Sequence, residues 1–275
     1  MSELRTIAAF HARELLQRKI VWLIAGVALL GLTFMGWAVH TTSTAPHTPA
    51  FVRSQILEQM LSMTLILSQM LCALLAMLTA VGALAQEIDS GRIQMVLSRP
   101  VSRASVFLGY LAGLSAVVVT YAAWIYLSVL LVFGWATGIW PAGWGWGILV
   151  FPLGALLELA LALLLASRIG TLAAGVTALA LLLITWIGNG LETVGYLARL
   201  DALQVTGVLM SLLLPMASVN SWVTTRLRDG LSHVLTVPLD IDLTPSPSGW
   251  MLLYACLYLA ALIGAGVAVF RRRDL

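Results

Sequence analysis

Six long apolar runs dominate the sequence and constrain what the chain can fold into. A helix rises about 1.5 Å per residue and the hydrocarbon core of a bilayer is about 30 Å thick, so about 20 apolar residues cross it. The runs are Ile20–Val39, Met60–Ala85, Ala104–Phe133, Ile148–Ser167, Thr171–Gly188 and Trp250–Phe270. The sequence therefore predicts an all-α integral membrane protein with six transmembrane helices.

The composition excludes an ordinary water-soluble domain. Of 275 residues, 60% are hydrophobic and 10% are charged, with a mean hydropathy of +0.98; about a quarter of residues are charged in a soluble domain. The net charge of +3 does not indicate nucleic-acid binding, because in a membrane protein the placement of basic residues matters more than their sum. Cys72 and Cys256 fall in apolar runs, so we predict neither a disulfide nor a Cys-based metal site.

Basic residues are distributed unevenly between the two sides of the six predicted spans. Eleven of the fifteen lie on the side of the chain ends: Arg5, Arg13, Arg18, Lys19, Arg92, Arg99, Arg103, Arg168, Arg271, Arg272 and Arg273. Because Lys and Arg are enriched in cytoplasmic loops, both termini are predicted to be cytoplasmic, in the cytoplasmic (inner) membrane. Residues 189–249 then form a long extracytoplasmic loop. We expect short helices on or in the outer leaflet within it, and a seventh span is the alternative.

The first nineteen residues have the pattern of an amphipathic helix lying along the inner membrane surface. Leu4, Ile7, Ala8 and Leu15 share one helical face, and Arg13 lies opposite them. Such a helix buries its apolar face at the headgroup boundary. A plain soluble lead-in to the first span is the alternative.

The segment between spans two and three, residues 86–103, is the most informative part of the sequence. Asp89 or Ser90 can cap a short helix that Pro100 ends, and Ser102 can cap the next span. Three apolar side chains share one face of that helix at i, i+3 and i+4, namely Ile93, Val96 and Leu97. The sequence thus predicts a short amphipathic helix held under the membrane by two spans; a solvated loop is the alternative.

This segment resembles the hallmark of the ABC-2 type transporter permeases. The string is Glu87-x-Asp89-x-Gly91-Arg92-Ile93-x-x-Val96-Leu97-Ser98-Arg99-Pro100-Val101-Ser102-Arg103, followed by a span. The chain end, Phe270-Arg271-Arg272-Arg273-Asp274-Leu275, is similar to that family's ending. Arg92 departs from the family, which commonly has Thr or Ser there. The resemblance extends over essentially the whole chain and implies one transmembrane permease domain, 1–275.

The resemblance implies a role for the segment and a set of partners. In the family, the loop helix docks in a groove of a separate ATPase subunit and transmits its movement to the spans. The residues expected to couple the chain to an ATPase are Glu87, Asp89, Gly91, Arg92, Ile93, Val96, Leu97, Arg99, Pro100 and Arg103. Two ATPase copies and a second permease, either a second copy of this chain or a related subunit, are the implied partners; an extracytoplasmic accessory protein is a further one.

ATP chemistry is expected only in the partner. No G-x-x-x-x-G-K-[ST] phosphate loop occurs in the sequence, and the predicted cytoplasmic segments are too short for a nucleotide-binding domain. We therefore expect no catalytic residue, metal or cofactor in this chain, with ATP and Mg held by the ATPase subunit, and no nucleic-acid partner.

Glu158 is the acidic residue nearest the centre of a predicted span. An ionisable group at that depth is costly, so we expect it to face a protein interior or an aqueous cavity. A hydrogen bond to a neighbouring helix, a place at the interface between permeases, and direct contact with a substrate or ion all remain open.

The leading function is that of the permease subunit of an ATP-driven exporter. Within the same family, maturation of copper enzymes such as nitrous-oxide reductase, or relay of ATP-driven motion to periplasmic partners, are alternatives. A proton-coupled secondary transporter is the alternative from another class, and Glu158 is the residue available for it.

Overall fold

The structure is a computed structural model that describes residues 2–44, 49–91, 102–235 and 248–272. Every regular element within these ranges is helical, as the sequence predicted. The ten α-helices described are α1 (Ser2–Gln17), α2 (Lys19–Ser43), α3 (Ala50–Ala80), α4 (Gln86–Asp89), α5 (Arg103–Thr137), α6 (Trp144–Ala166), α7 (Thr171–Ala198), α8 (Asp201–Leu213), α9 (Met216–Leu235) and α10 (Gly249–Arg272). A π-helical turn, Val81–Ala85, joins α3 to α4.

Six helical segments in the described residues are long and apolar enough to cross a membrane, which confirms the predicted number of spans. They are Lys19–Ser43, Phe51–Asp89, Arg103–Thr137, Trp144–Ala166, Thr171–Ala198 and Gly249–Arg272. The chain is therefore a multi-pass membrane protein.

All six spans are longer than the apolar runs that predicted them, and the second and fifth differ most. The second begins at Phe51 rather than Met60, and the fifth continues past Gly188 to Ala198. Polar residues end an apolar run without ending a helix, because the intrahelical hydrogen bonds continue and side chains find partners nearby. One such residue is Arg53, whose guanidinium donates to the carbonyl oxygen of Ser43 at 3.2 Å.

Contacts between helices define the two ends of the bundle. At one end, which we call the α1 end, the ring of His11 stacks on Tyr110, and Phe107 packs against Phe270. At the other, the distal end, the Tyr126 hydroxyl donates to the carbonyl oxygen of Trp144 at 2.7 Å. Both described chain ends, in α1 and α10, thus lie at the same end of the bundle.

The core is built around α5 and α6. Helix α5 packs against α1, α2, α3, α6 and α10, and α6 packs against α3, α5, α7, α9 and α10. Large side chains that are almost fully buried fill the space between them, among them Phe107, Tyr110, Tyr126, Phe133 and Phe151. These two helices therefore form the scaffold that positions the polar groups described below.

Helices α8 and α9 form a hairpin that enters the bundle from the distal end. Gly188 lies against Met210 and Gly195 against Gln204, so α8 runs back antiparallel to α7. The chain then bends by 108° into α9. The tip of the hairpin is buried at Met216, which packs beside Leu157 of α6. Taken together, α8 and α9 are a broken span or a re-entrant loop, which raises the count of spans to at most seven.

Candidate functional site

A cluster of polar side chains at the α1 end joins α1 to α4 and to the start of α5. The carboxylate of Glu87 accepts a hydrogen bond from the Tyr110 hydroxyl. The His11 ring stacks on the Tyr110 ring with centroids 3.9 Å apart. The Glu14 carboxylate accepts from Arg18 at 2.8 Å and lies 3.4 Å from Nδ1 of His11. We call these five residues the α1-end cluster.

Close approach of α1 to α5 is possible because Gly113 has no side chain. A Cβ atom at that position would lie 2.6 Å from the carbonyl oxygen of Ala8 and 3.1 Å from Cβ of His11. The first distance is shorter than real Cβ contacts and the second is tighter than most of them, so any larger residue would push the two helices apart. The predicted amphipathic helix thus packs against the bundle through Ala8, His11 and Leu15, while Arg13 is exposed.

Burial and charge act in opposite directions on His11 and Glu14 of α1. Burial lowers the pKa of His11 below its usual 6.5, against the opposing effects of Glu87 and Glu14. For Glu14, burial raises the pKa, but the hydrogen bond and charge of Arg18 outweigh it, so the pKa lies below 4.5. Near neutral pH the cluster therefore holds a neutral imidazole beside an ionised Glu14.

Three members of the cluster are of the types that bind metal ions. Ligand atoms of His11, Glu14 and Glu87 all lie within 4.8 Å of one another. Glu14 is paired with Arg18, however, and Glu87 accepts from Tyr110. The guanidinium of Arg18 therefore offsets the charge of Glu14, and the hydrogen bond between Tyr110 and Glu87 joins α5 to α4.

Asp89, at the end of α4, caps the fifth span. Its Oδ2 accepts hydrogen bonds from the backbone N–H of Thr171 at 2.8 Å and from the Thr171 hydroxyl at 2.6 Å. Thr171 is the first residue of α7, where backbone N–H groups lack partners inside the helix and the helix dipole favours a negative charge. This predicted coupling residue therefore ties the end of the second span to the start of the fifth.

The remaining predicted coupling residues divide between described and undescribed parts of the chain. Gly91 adopts φ +71°, in the left-handed region that glycine tolerates best, and so permits the turn after α4. Arg103 begins α5, and the preceding Ser102 caps it by accepting from the N–H of Ser105 at 3.1 Å, as predicted. The following predicted residues lie outside the described residues: Arg92, Ile93, Val96, Leu97, Arg99 and Pro100.

Glu158 lies in α6 with 9% of its surface exposed. It borders a space of about 10 Å³, little more than the room for one water, together with Met77, Thr185 and Met216. Within the described residues its carboxyl makes no hydrogen bond. The side chain therefore faces protein where α3, α6, α7 and the tip of the α8–α9 hairpin meet.

Sequence reasoning missed Gln69, a second buried polar side chain facing α6. It is 2% exposed, and neither Oε1 nor Nε2 has a hydrogen-bond partner among the described residues. Its amide lies against Gly154, one helical turn before Glu158, where a Cβ atom would be 2.5 Å from Nε2. The signal was present in the sequence, because a glutamine inside an apolar run is unusual for the same reason as a glutamate.

A larger cavity opens at the distal end between α3, α7, α8, α9 and the start of α10. Its volume is about 430 Å³. Its polar lining includes Glu192, which accepts from the Ser211 hydroxyl at 3.0 Å, and Asn189, which accepts from the Ser221 hydroxyl at 3.0 Å. We call this space the distal cavity. It lies at the opposite end of the bundle from the α1-end cluster and Asp89.

Comparison with known proteins identifies the family of the chain. The family model described as ABC-2 family transporter protein matches residues 6–275, nearly the whole chain. A search of curated proteins finds no match. Because the model covers all six spans and the linker that carries the predicted coupling residues, the chain belongs to the ABC-2 family and is a membrane-spanning permease subunit of an ABC transporter.

Proposed function

We propose that the chain is the permease of an ATP-driven exporter in the cytoplasmic membrane, with both termini cytoplasmic. A separate ATPase subunit, present in two copies, binds ATP and Mg and contacts the α1 end. A second permease, most simply another copy of this chain, completes the pathway. The excess of basic residues on the side of the chain ends supports this orientation.

The proposal rests on one observation: residues on both sides of the linker between α4 and α5 form hydrogen bonds that involve α4, α5 and α7. Before the linker, Asp89 binds the start of α7, and Glu87 binds Tyr110 of α5. After it, Ser102 caps α5. An ATPase that moved the linker would therefore move α5 and α7 with it, and α1 through His11 and Tyr110.

Copurification tests the partnership. Purification in mild detergent from the native host should yield an ATPase subunit in near-equal amount, and deletion of Ser90–Ser98 should release it. An intact chain that carries no ATPase, or that hydrolyses ATP alone, would contradict the proposal and favour a secondary transporter.

Point variants test whether the linker transmits force. Val96→Glu places a charge on the predicted apolar face, and Gly91→Pro replaces a residue whose φ of +71° proline cannot adopt. Both should uncouple transport from ATP hydrolysis while the protein still inserts. Gln94→Glu adds the same carboxylate outside that face and is the matched control. Normal substrate-stimulated hydrolysis in Val96→Glu would reject the mechanism.

A further inference from the structure

The distal cavity has the size and shape of a ligand-binding site contained in one permease chain. Its volume of about 430 Å³ falls in the range of about 300–1,000 Å³ that holds small organic molecules. Five helices contribute to its wall: α3, the consecutive helices α7, α8 and α9, and α10. The cavity lies beside the α8–α9 hairpin, and broken helices of this kind often bound substrate sites in transporters.

One buried polar group in the wall has no hydrogen-bond partner in the part of the chain that the structure describes. It is Oδ1 of Asn220, a residue in the first turns of α9 that is 3% exposed. An unpartnered buried polar atom costs about 1–3 kcal/mol. A ligand that donates a hydrogen bond to the amide of Asn220 would remove that cost.

The charges around the cavity favour a cation. Glu192 lines it and accepts a hydrogen bond from the neutral hydroxyl of Ser211. Arg228 also lines it but interacts electrostatically with Glu58 of α3, which offsets its charge. The lining itself holds one carboxylate, Glu192, and one guanidinium, Arg228. Because Glu58 offsets the charge of Arg228 from outside the lining, and Glu192 has no cationic partner among the described residues, Glu192 is the charge left to attract a ligand.

Apolar side chains form one part of the remaining wall, and hydroxyl and amide side chains form the other. Ile66, Val208 and Met251 line the cavity beside the polar groups. A ligand with an apolar body and one charged end would therefore match both parts of the wall.

We propose that the distal cavity binds a protonated amine with an apolar body, with the ammonium at Glu192. The oxygens of Asn189 and Asn220 accept further hydrogen bonds from the ammonium or neighbouring groups. An ammonium of this kind occurs both in free amines and in the headgroup of an ethanolamine lipid. The proposal depends on the cavity alone and does not require a particular direction of transport.

Binding of two probes to the intact permease tests the charge. The protein is placed in nanodiscs of phosphatidylglycerol, which carries no amine, and titrated with phenethylamine and N-acetylphenethylamine by saturation-transfer NMR. The two probes share their apolar body and differ in the charge of the nitrogen. Phenethylamine should bind about tenfold more tightly or better, the worth of one charge-assisted hydrogen bond. Equal affinities, or no binding of the amine, would overturn the proposal.

Variants locate the ammonium. Glu192→Gln keeps an acceptor for Ser211 and should remove the preference for the amine while leaving the acetylated probe unchanged. Glu192→Asp keeps the charge and should keep the preference, which supplies the test if the glutamine variant does not fold. Asp201→Asn, an exposed acid of α8, is the matched control. If it weakens amine binding as much as Glu192→Gln does, the attraction is not local and the assignment is wrong.

An exchange of the nanodisc lipid identifies the source of the amine. Replacing phosphatidylglycerol with phosphatidylethanolamine should lower the apparent affinity for phenethylamine if a lipid headgroup occupies the cavity. An unchanged affinity assigns the cavity to free amines.

Discussion

The carboxylate of Asp89 and the first residue of the fifth span, Thr171, are joined by two hydrogen bonds across 82 residues of sequence. The cap of α7 therefore comes from a different part of the chain. A helix start that depends on a remote side chain links the position of α4 to the stability of α7.

Removing this remote cap should destabilise the protein. Asp89→Ala should lower the free energy of unfolding by about 0.5–2 kcal/mol, the usual worth of a cap. Thr171→Val removes one of the two hydrogen bonds and should cost less. Thermal unfolding in detergent measures both, and a double-mutant cycle gives their coupling. Ser90→Ala, an exposed neighbour, is the control, and additive effects of Asp89→Ala and Thr171→Val would contradict a direct interaction.

A methyl group at Gly113 should displace α1 from α5. The new Cβ would meet the backbone of Ala8 at 2.6 Å, which cannot move aside as a flexible side chain can. Gly113→Ala should cost about 1–3 kcal/mol and speed trypsin cleavage at Arg5 and Arg13. Gly264→Ala, where nothing lies within 4 Å of the added atom, is the control. Equal cleavage rates in the two variants would show that α1 does not depend on this contact.

Docking of α1 should weaken in acid. The pKa of His11 is lower in the docked state than its usual 6.5 because burial disfavours the imidazolium. The undocked state then binds more protons, so the stability of docking is complete above 6.5 and falls as the pH drops below it. The groups facing His11 are Glu14, Arg18, Glu87 and Tyr110.

The mobility of a spin label at Arg13→Cys, with Cys72 and Cys256 replaced, should report this change between pH 8 and pH 5. His11→Phe keeps a ring against Tyr110 but cannot titrate. The change in spin-label mobility between pH 8 and pH 5 should therefore disappear in that variant. An unchanged transition would assign the pH dependence to another group.

The carboxyl of Glu158 should matter for transport more than for insertion. Glu158→Gln keeps a polar group in the buried space and should fold, whereas Glu158→Leu should reduce transport while expression changes little. Thr185→Val borders the same space, although its hydroxyl bonds only its own helix, and is the control. Normal transport in both Glu158 variants would show that Glu158 has no role in transport.

The proposed topology can be measured directly. Single cysteines at Ser2, Ser98 and Asp274 should be protected from an impermeant thiol reagent in intact cells, and those at His47 and Asp242 should react. The basis is the placement of eleven of fifteen basic residues on one side of the spans. Reaction at Ser98 without reaction at Asp242 would show that the orientation is the opposite of the one proposed.

The sequence by itself determined the class of protein and the number of spans. Runs such as Thr171–Gly188 are apolar throughout, and the thickness of the bilayer, rather than any partner helix, sets the length they need. The cap at Ser102 was also predictable, because its acceptor and donor are three residues apart.

Only the tertiary structure decided which polar groups meet. The sequence predicted Asp89 as a capping residue but did not predict that its partner would be Thr171. That contact depends on how two spans pack, and the residues next to Asp89 carry no information about this packing. The same holds for His11 on Tyr110 and for Gln69 against Gly154.

The α8–α9 hairpin is another feature that the sequence alone did not determine. Residues 191–213 have the composition of an interfacial helix, and composition does not distinguish a helix that lies on a membrane from one that enters it. The bend of 108° and the contact of Met216 with Leu157 depend on space left between α3, α6 and α7. That space exists only once the spans have packed, and the distal cavity exists for the same reason.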